Sequence, residues 1–350
     1  MRVFTLCALA CVDLVWSQSP QPNIAKWDAA LEQATKNDSF AGAVLIARNG
    51  KPIFRRAYGL ADREQNIPNR PETKFRIGSM NKMFTAVVIS QLAQRGKLRF
   101  SDHVNQYIRD YPNKDLASRV TIEHLLTHTG GTGDIFGPDF VEHRSELNTL
   151  ADYLTLYGKR GLAYPPRTKW AYSNYGFILL GLIVERVTGQ SYYDYVREHV
   201  FKPAGMESTD SMPESTTVPD LSIGYTRRGG GPLRPNTDTL PPRGTSAGGG
   251  YSTVDDLMRF SQALLNHRLL DQLHTEQLTK GRVTAGYDIQ YGHGFFVQKR
   301  WFGHGGGAPG MNGELRIYPE SHHFVAVLAN TDPPAAANIA IRIGDDLLPR

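Results

Sequence analysis

Strand-like segments at both ends of the chain, separated by mostly helical sequence, constrain the fold of this polypeptide more than any other feature. Residues 42–59 place Asn49-Gly50 between two apolar runs. Asn-Gly tolerates the positive φ angles that a two-residue turn requires, so this stretch reads as a hairpin. Much later, residues 293–299, 313–318 and 324–329 alternate or run apolar between turn residues, which reads as three further strands. Strands this far apart in sequence bury their apolar faces by joining one sheet. The predicted class is therefore α+β: an antiparallel sheet of about five strands, flanked by helices, with an inserted mostly helical region.

The helices follow from the 3.6-residue period. Trp27, Ala30, Leu31 and Ala34 mark a helix over 24–36, and Met83, Phe84, Val87, Val88, Gln91 and Leu92 mark one ending near Gln94, where Gly96 stops it. Further helices are expected at 121–127, 176–187, 192–201, 253–265 and 335–348. The Gly- and Pro-rich stretch 213–250 is too long for an ordinary connector, which points to a functional loop. The expected division is a sheet part (about 24–78 and 266–350) and a helical part (about 79–265), with a site in the cleft between them.

The first 17 residues read as an export signal. Arg2 is basic, residues 3–16 are mostly apolar, and Val15 and Ser17 offer small residues at the cleavage positions. The expected mature chain is 18–350, exported to the periplasm or secreted. Ala8-Leu9-Ala10-Cys11 also resembles a lipoprotein cleavage box, but its apolar stretch is short. Cys7 and Cys11 both fall in this segment, so its removal would exclude a disulfide framework, a thiol nucleophile and a cysteine metal site. No other stretch approaches the roughly 18 apolar residues of a membrane span, so no transmembrane anchor is expected. The net charge is +5. The basic residues are scattered, with Arg55-Arg56 and Arg227-Arg228 the densest pairs, which argues against a nucleic-acid partner.

Ser79 and Lys82 stand three residues apart where a helix is expected to begin. Helical positions i and i+3 share a face, with Cβ atoms roughly 5–6 Å apart, so the amine can reach the hydroxyl. Lysine can accept a serine proton when burial or a neighbouring cation lowers its pKa. Tyr172-Ser173-Asn174 is predicted on a turn before the 176–187 helix. Tyr172 suits a proton relay, because a tyrosine pKa can fall beside a cation such as Lys82. Asn174 both donates and accepts, which suits an amide or ester carbonyl. In residues 302–310 the glycines at 303, 305, 306, 307 and 310 let a substrate approach the backbone. An N–H from this segment and that of Ser79 could form an oxyanion hole.

Ser79-x-x-Lys82, Tyr172-Ser173-Asn174 and His304-Gly305-Gly306, in that order, resemble the three motifs of the serine β-lactamase and penicillin-binding-protein superfamily. The closest likeness is to its class C β-lactamase, DD-peptidase and family VIII esterase branch. Tyr58-Gly59-Leu60-Ala61-Asp62 and Leu125-Leu126-Thr127-His128-Thr129-Gly130 also resemble that branch. The resemblance spans roughly residues 25–330 and implies a β-lactamase/transpeptidase-like fold with a cofactor-free, metal-free serine hydrolase site. By it, Ser79 forms the acyl-enzyme and Lys82 with Tyr172 handles its proton; which of the two is the base stays open. Asn174 and His304 would contact substrate, and the N–H groups of Ser79 and Gly307 would form the oxyanion hole. His304 departs from the lysine of β-lactamases and Gly305 from the usual threonine. Both changes weaken carboxylate binding, since histidine is mostly neutral at pH 7.

The expected activity is that of an esterase, amidase or DD-peptidase-like enzyme on a small ester, amide or peptide. The alternatives are a β-lactamase or a non-catalytic peptidoglycan or peptide binder. Two further motifs need weighing. Gly244-Thr245-Ser246-Ala247-Gly248 fits G-x-S-x-G but lacks the preceding strand and following helix of a nucleophile elbow. His124 and His128 have i, i+4 spacing on an expected helix, yet the glutamate of the zincin pattern is not between them.

Overall fold

The computed structural model describes residues 24–347; the expected export segment lies outside the described residues. One sheet dominates. Its strands are β1 (Gly42–Arg48), β2 (Lys51–Tyr58), β3 (Val283–Thr284), β4 (Gln290–Tyr291), β5 (Phe296–Val297), β6 (Phe302–Ala308), β7 (Met311–Tyr318) and β8 (His323–Ala329). Their order is β2-β1-β8-β7-β6-β5-β4-β3, with every adjacent pair antiparallel. The two chain ends meet where β1 pairs with β8, from Gly42 opposite Ala329 to Arg48 opposite His323. Asn49 and Gly50 have φ of 50° and 75°, the positive values a type I′ hairpin turn needs.

The sheet is larger than the five strands expected. The difference lies on the β6 side, where the 293–299 strand shrinks to Phe296–Val297 and the glycine run becomes the seven-residue strand β6. Glycine disfavours strands in isolation. Here β6 is held along its whole length by β7, from Phe302 opposite Ile317 to Ala308 opposite Met311.

Side chains on a strand alternate between faces, and β1 is buried on both. Val44 and Ile46 join Trp27 and Leu31 of α1 (Ile24–Lys36) and Ile343 of the C-terminal helix Ala335–Leu347. Ala43 and Leu45 join the opposite cluster, which includes Met83 and Val87 of α2 (Asn81–Gln94). α2 is buried on all sides from Asn81 to Leu92, as suits a helix threading a core rather than covering one. Lys82, in its first turn, is consequently 0% exposed.

The helical part adds α3 (Asn174–Thr188) and α4 (Val254–Leu265). Ser173 caps α3, its Oγ accepting the Gly176 N–H at 2.9 Å, so the helix begins two residues before the predicted Gly176. Helices at Lys114–Arg119, Pro138–His143, Leu150–Tyr157 and Gln272–Thr279 were not foreseen, because six to eight residues barely establish a helical period. Among the described residues no helix is long and apolar enough to cross a membrane.

Candidate active site

Ser79 lies in a single 3-10 turn, Gly78–Met80, that leads into α2. The turn is pressed onto β6. A Cβ on Gly306 would stand 1.9 Å from the Ile77 carbonyl oxygen and 3.1 Å from the Ser79 nitrogen, and one on Gly78 would stand 3.0 Å from the Gly307 nitrogen. The glycines therefore bring two backbones together as well as leaving room for a ligand. Gly78 also has φ +51°, a conformation glycine adopts without strain.

The Lys82 amine donates to Ser79 Oγ at 3.2 Å, to Asn174 Oδ1 at 2.7 Å and to the Ala247 carbonyl at 2.5 Å. It also lies 4.7 Å from the Tyr172 ring centre and 5.5 Å from that of Phe177. Burial lowers its pKa to about 7, against the opposing charge of Asp134. A shift from 10.5 to about 7 disfavours the ammonium by about 5 kcal/mol. The amine can thus exchange a proton near neutral pH.

Tyr172 moves the other way. Its pKa was expected to fall beside Lys82, but burial pushes it up, only partly offset by a hydrogen bond with Ser79. The phenol stays protonated, because desolvation penalises the phenolate more than its neighbours stabilise it. Asn174 has its amide oriented from both ends: Oδ1 accepts from Lys82, and Nδ2 donates to Asp134 Oδ2 at 3.2 Å. Asp134 Oδ1 also accepts the Asn174 backbone N–H at 2.8 Å.

His304, expected to contact substrate, lines the cleft beside Ser79 and Tyr172. Its side chain is buried, with Nδ1 2.5 Å from the Gly305 carbonyl and Nε2 3.1 Å from the Tyr291 hydroxyl. A carbonyl can only accept, so Nδ1 donates and Nε2 accepts from Tyr291. Burial, and then Lys82, lower the His304 pKa to about 3. With the ring neutral and both nitrogens occupied, His304 positions the wall of the cleft and presents no cation to a ligand.

His128 does not share a helix face with His124. The helix ends at Leu126, and His128 has φ +58°. Its ring packs 4.3 Å from that of Tyr172. Its carbonyl accepts the Ala171 N–H at 3.0 Å, and its Nδ1 accepts the Ser173 N–H at 3.1 Å, so the Tyr172 backbone is anchored on both sides. Among the described residues no three His, Cys, Asp or Glu side chains converge as a metal site would need. Ser246, the G-x-S-x-G serine, is 0% exposed and its Oγ has no partner. It packs so closely on α3 that a Cβ on Gly181 would stand 2.4 Å from that oxygen.

Two clefts meet at Ser79. One is largely apolar, lined by Ile135, Phe136, Phe140, Leu240, Pro241 and Met311, with the Arg76–Glu214 ion pair also on its wall. The other contains Tyr172, His304, Gly305, Gln298, Glu314 and Arg316. The 213–250 loop supplies Leu240 and Pro241 to the first cleft and the Ala247 carbonyl to Lys82. Asp134, Ala247, Tyr291 and the inward face of His128 escaped sequence reasoning. Only His128 carried a signal, as part of the 125–130 phrase.

A family model described as Beta-lactamase matches residues 27–347. The chain is 28% identical to penicillin-binding protein 4* of Bacillus subtilis (strain 168) over 86% of its length and 70% of the relative's. It is 30% identical to esterase EstB of Burkholderia gladioli over 77% and 78%. The crystal structure of a penicillin-binding protein from Bacillus halodurans superposes with a TM-score of 0.83 at 32% identity, covering 90% of this chain and 99% of that one. A D-stereospecific amidohydrolase from Streptomyces superposes at 0.75 with 27% identity, covering 92% and 98%.

Proposed function

The chain belongs to the β-lactamase family and is a serine hydrolase; from that premise we propose that it cleaves small esters or amides through an acyl-enzyme on Ser79. The observation carrying this reading is the buried Lys82 amine, held 3.2 Å from the Ser79 hydroxyl with a pKa near 7. Ser79 Oγ attacks the carbonyl carbon as its proton passes to neutral Lys82. The carbonyl oxygen becomes an oxyanion facing the N–H groups of Ser79 and Gly307. Collapse of that intermediate breaks the bond to the departing alcohol or amine, which takes a proton from Lys82 by way of Tyr172. Water, giving a proton to the neutral Lys82 amine, then adds to the acyl carbon; the bond to Ser79 Oγ breaks, the carboxylic acid leaves, and the serine oxygen takes that proton back.

The opposed pKa shifts support Lys82 as the base and Tyr172 as a protonated relay. Asn174 holds Lys82 and lines the acyl cleft. The apolar wall of that cleft, including Phe136 at 62% exposure, suits an apolar acyl group. Neutral, fully engaged His304 and the absent side chain at Gly305 favour ester or amide substrates over β-lactams and over peptides ending in a free carboxylate. The basic and apolar start of the sequence supports export of the chain.

Intact-protein mass spectrometry after fluorophosphonate treatment should show one adduct, lost in Ser79→Ala and in Lys82→Ala. Among p-nitrophenyl butyrate, a D-Ala-D-Ala peptide and nitrocefin, the butyrate should have the highest kcat/KM. A best rate with nitrocefin would overturn the substrate assignment, and unchanged labelling of Ser79→Ala would overturn the nucleophile.

A further inference from the structure

The cleft on the Tyr172 side of Ser79 carries a carboxylate where a side chain on residue 305 would otherwise project. Gly305 faces Glu314 across the β6–β7 ladder, and directly opposed residues present their side chains on the same face of a sheet. A Cβ on Gly305 would stand 2.5 Å from Glu314 Oε2. Glycine at 305 is thus what lets the Glu314 carboxylate lie against the strand.

Glu314 is nearly buried, and its ion pair runs through one of its two oxygens. Its Oε1 accepts from Arg316 Nε at 2.9 Å, and the two side chains are 10% and 12% exposed. The Arg316 guanidinium lies 4.3 Å over the Trp301 ring, so that cation is neutralised on one side and covered on another. The other Glu314 oxygen, Oε2, is the one beside Gly305. The ionisable side chains lining this cleft are Glu314, whose pKa burial raises against the pull of Arg316, together with Arg316 and Asp345, with His304 neutral. The other cleft pairs its one cation, Arg76, with Glu214. Electrostatic asymmetry of this kind selects partners by sign.

We propose that Glu314 is a specificity-determining residue: Oε2 receives a positively charged nitrogen on the departing part of the substrate, so the preferred class is esters or amides of cationic alcohols or amines. The proposal rests on the acyl-enzyme reading. That reading sets the orientation, because the residue that returns a proton to the departing atom, Tyr172, lines this cleft and not the apolar one. Acyl group and leaving group then occupy clefts of opposite character.

Three butyrate esters of similar size test it: butyrylcholine, its uncharged isostere 3,3-dimethylbutyl butyrate, and 3-butyryloxypropanoate. Wild-type kcat/KM should favour the choline ester over the isostere by about tenfold or more, as expected for unit charges about 5 Å apart at an effective dielectric near 20, with the anionic ester slowest. Glu314→Gln should collapse the choline-to-isostere ratio and raise the anionic ester relative to the isostere, because Arg316 loses its counter-charge. Tetramethylammonium should inhibit wild-type hydrolysis of the isostere competitively, a measurement that needs no variant. Equal rates for choline ester and isostere, or preference for the anionic ester through Arg316, would overturn the assignment while leaving the hydrolase intact. Absence of turnover together with absence of a Ser79 adduct would overturn the acyl-enzyme reading and this assignment with it.

Discussion

Asp134 should set the pH at which the enzyme becomes active. Its carboxylate reaches Lys82 through the Asn174 amide, by contacts of 3.2 and 2.7 Å, and it is the charge that opposes desolvation of the ammonium. Charges roughly 7 Å apart at an effective dielectric near 20 interact by about 2 kcal/mol, or about 1.5 pH units. Asp134→Asn keeps the shape and removes the charge. The Lys82 ammonium then loses its stabilising partner, so it sheds its proton at lower pH. If, as proposed, the neutral amine is the base, the acid limb of kcat/KM against pH should move from about 7 toward about 5.5. The assay is hydrolysis of p-nitrophenyl butyrate between pH 4.5 and 9, and the position of the limb is the readout. Its height also depends on how well the substituted amide still orients Asn174. An unmoved limb, or one displaced to higher pH, would mean that the titrating base is not Lys82 coupled to Asp134.

The packing makes three further predictions. Gly306→Ala puts a Cβ 1.9 Å from the Ile77 carbonyl oxygen, so β6 and the Ser79 turn must separate; overpacking of this kind costs about 1–3 kcal/mol. Thermal denaturation should show the loss, and Ser79 labelling should slow. Ser246→Ala removes a buried hydroxyl without a partner, so kcat/KM should stay within about twofold and Tm should hold or rise, since an unmet buried polar group costs about 1–3 kcal/mol. A collapse of activity there would revive the G-x-S-x-G serine. His128→Ala empties the space beneath Tyr172 and strands the Ser173 N–H, with an expected stability loss of about 2–5 kcal/mol in urea unfolding; an unchanged midpoint would refute the anchoring role.

Periodicity and spacing are local properties, and the sequence by itself determined what they can carry: the Asn49-Gly50 hairpin, helix α2 ending at Gln94, strands near both chain ends, and a hydroxyl and an amine one helical turn apart. The order of the three motifs added the family. Tertiary structure decided whatever depends on neighbours distant in sequence. β6 is a strand because β7 pairs with it, although five of its seven residues, Gly303, Gly305, Gly306, Gly307 and Ala308, have little or no side chain to favour one. His304 is an engaged, neutral wall residue because Tyr291 and a carbonyl meet its two nitrogens. The Lys82 amine loses its charge readily because α2 crosses a core that excludes water, while Ala247 and Asn174, 165 and 92 residues away, fix its position. Desolvation and partner geometry set pKa values, and both arise only when the chain closes on itself. Thus Ser79 and Lys82 were legible as a spacing, whereas the charge state of the site and the sign of what it faces were not.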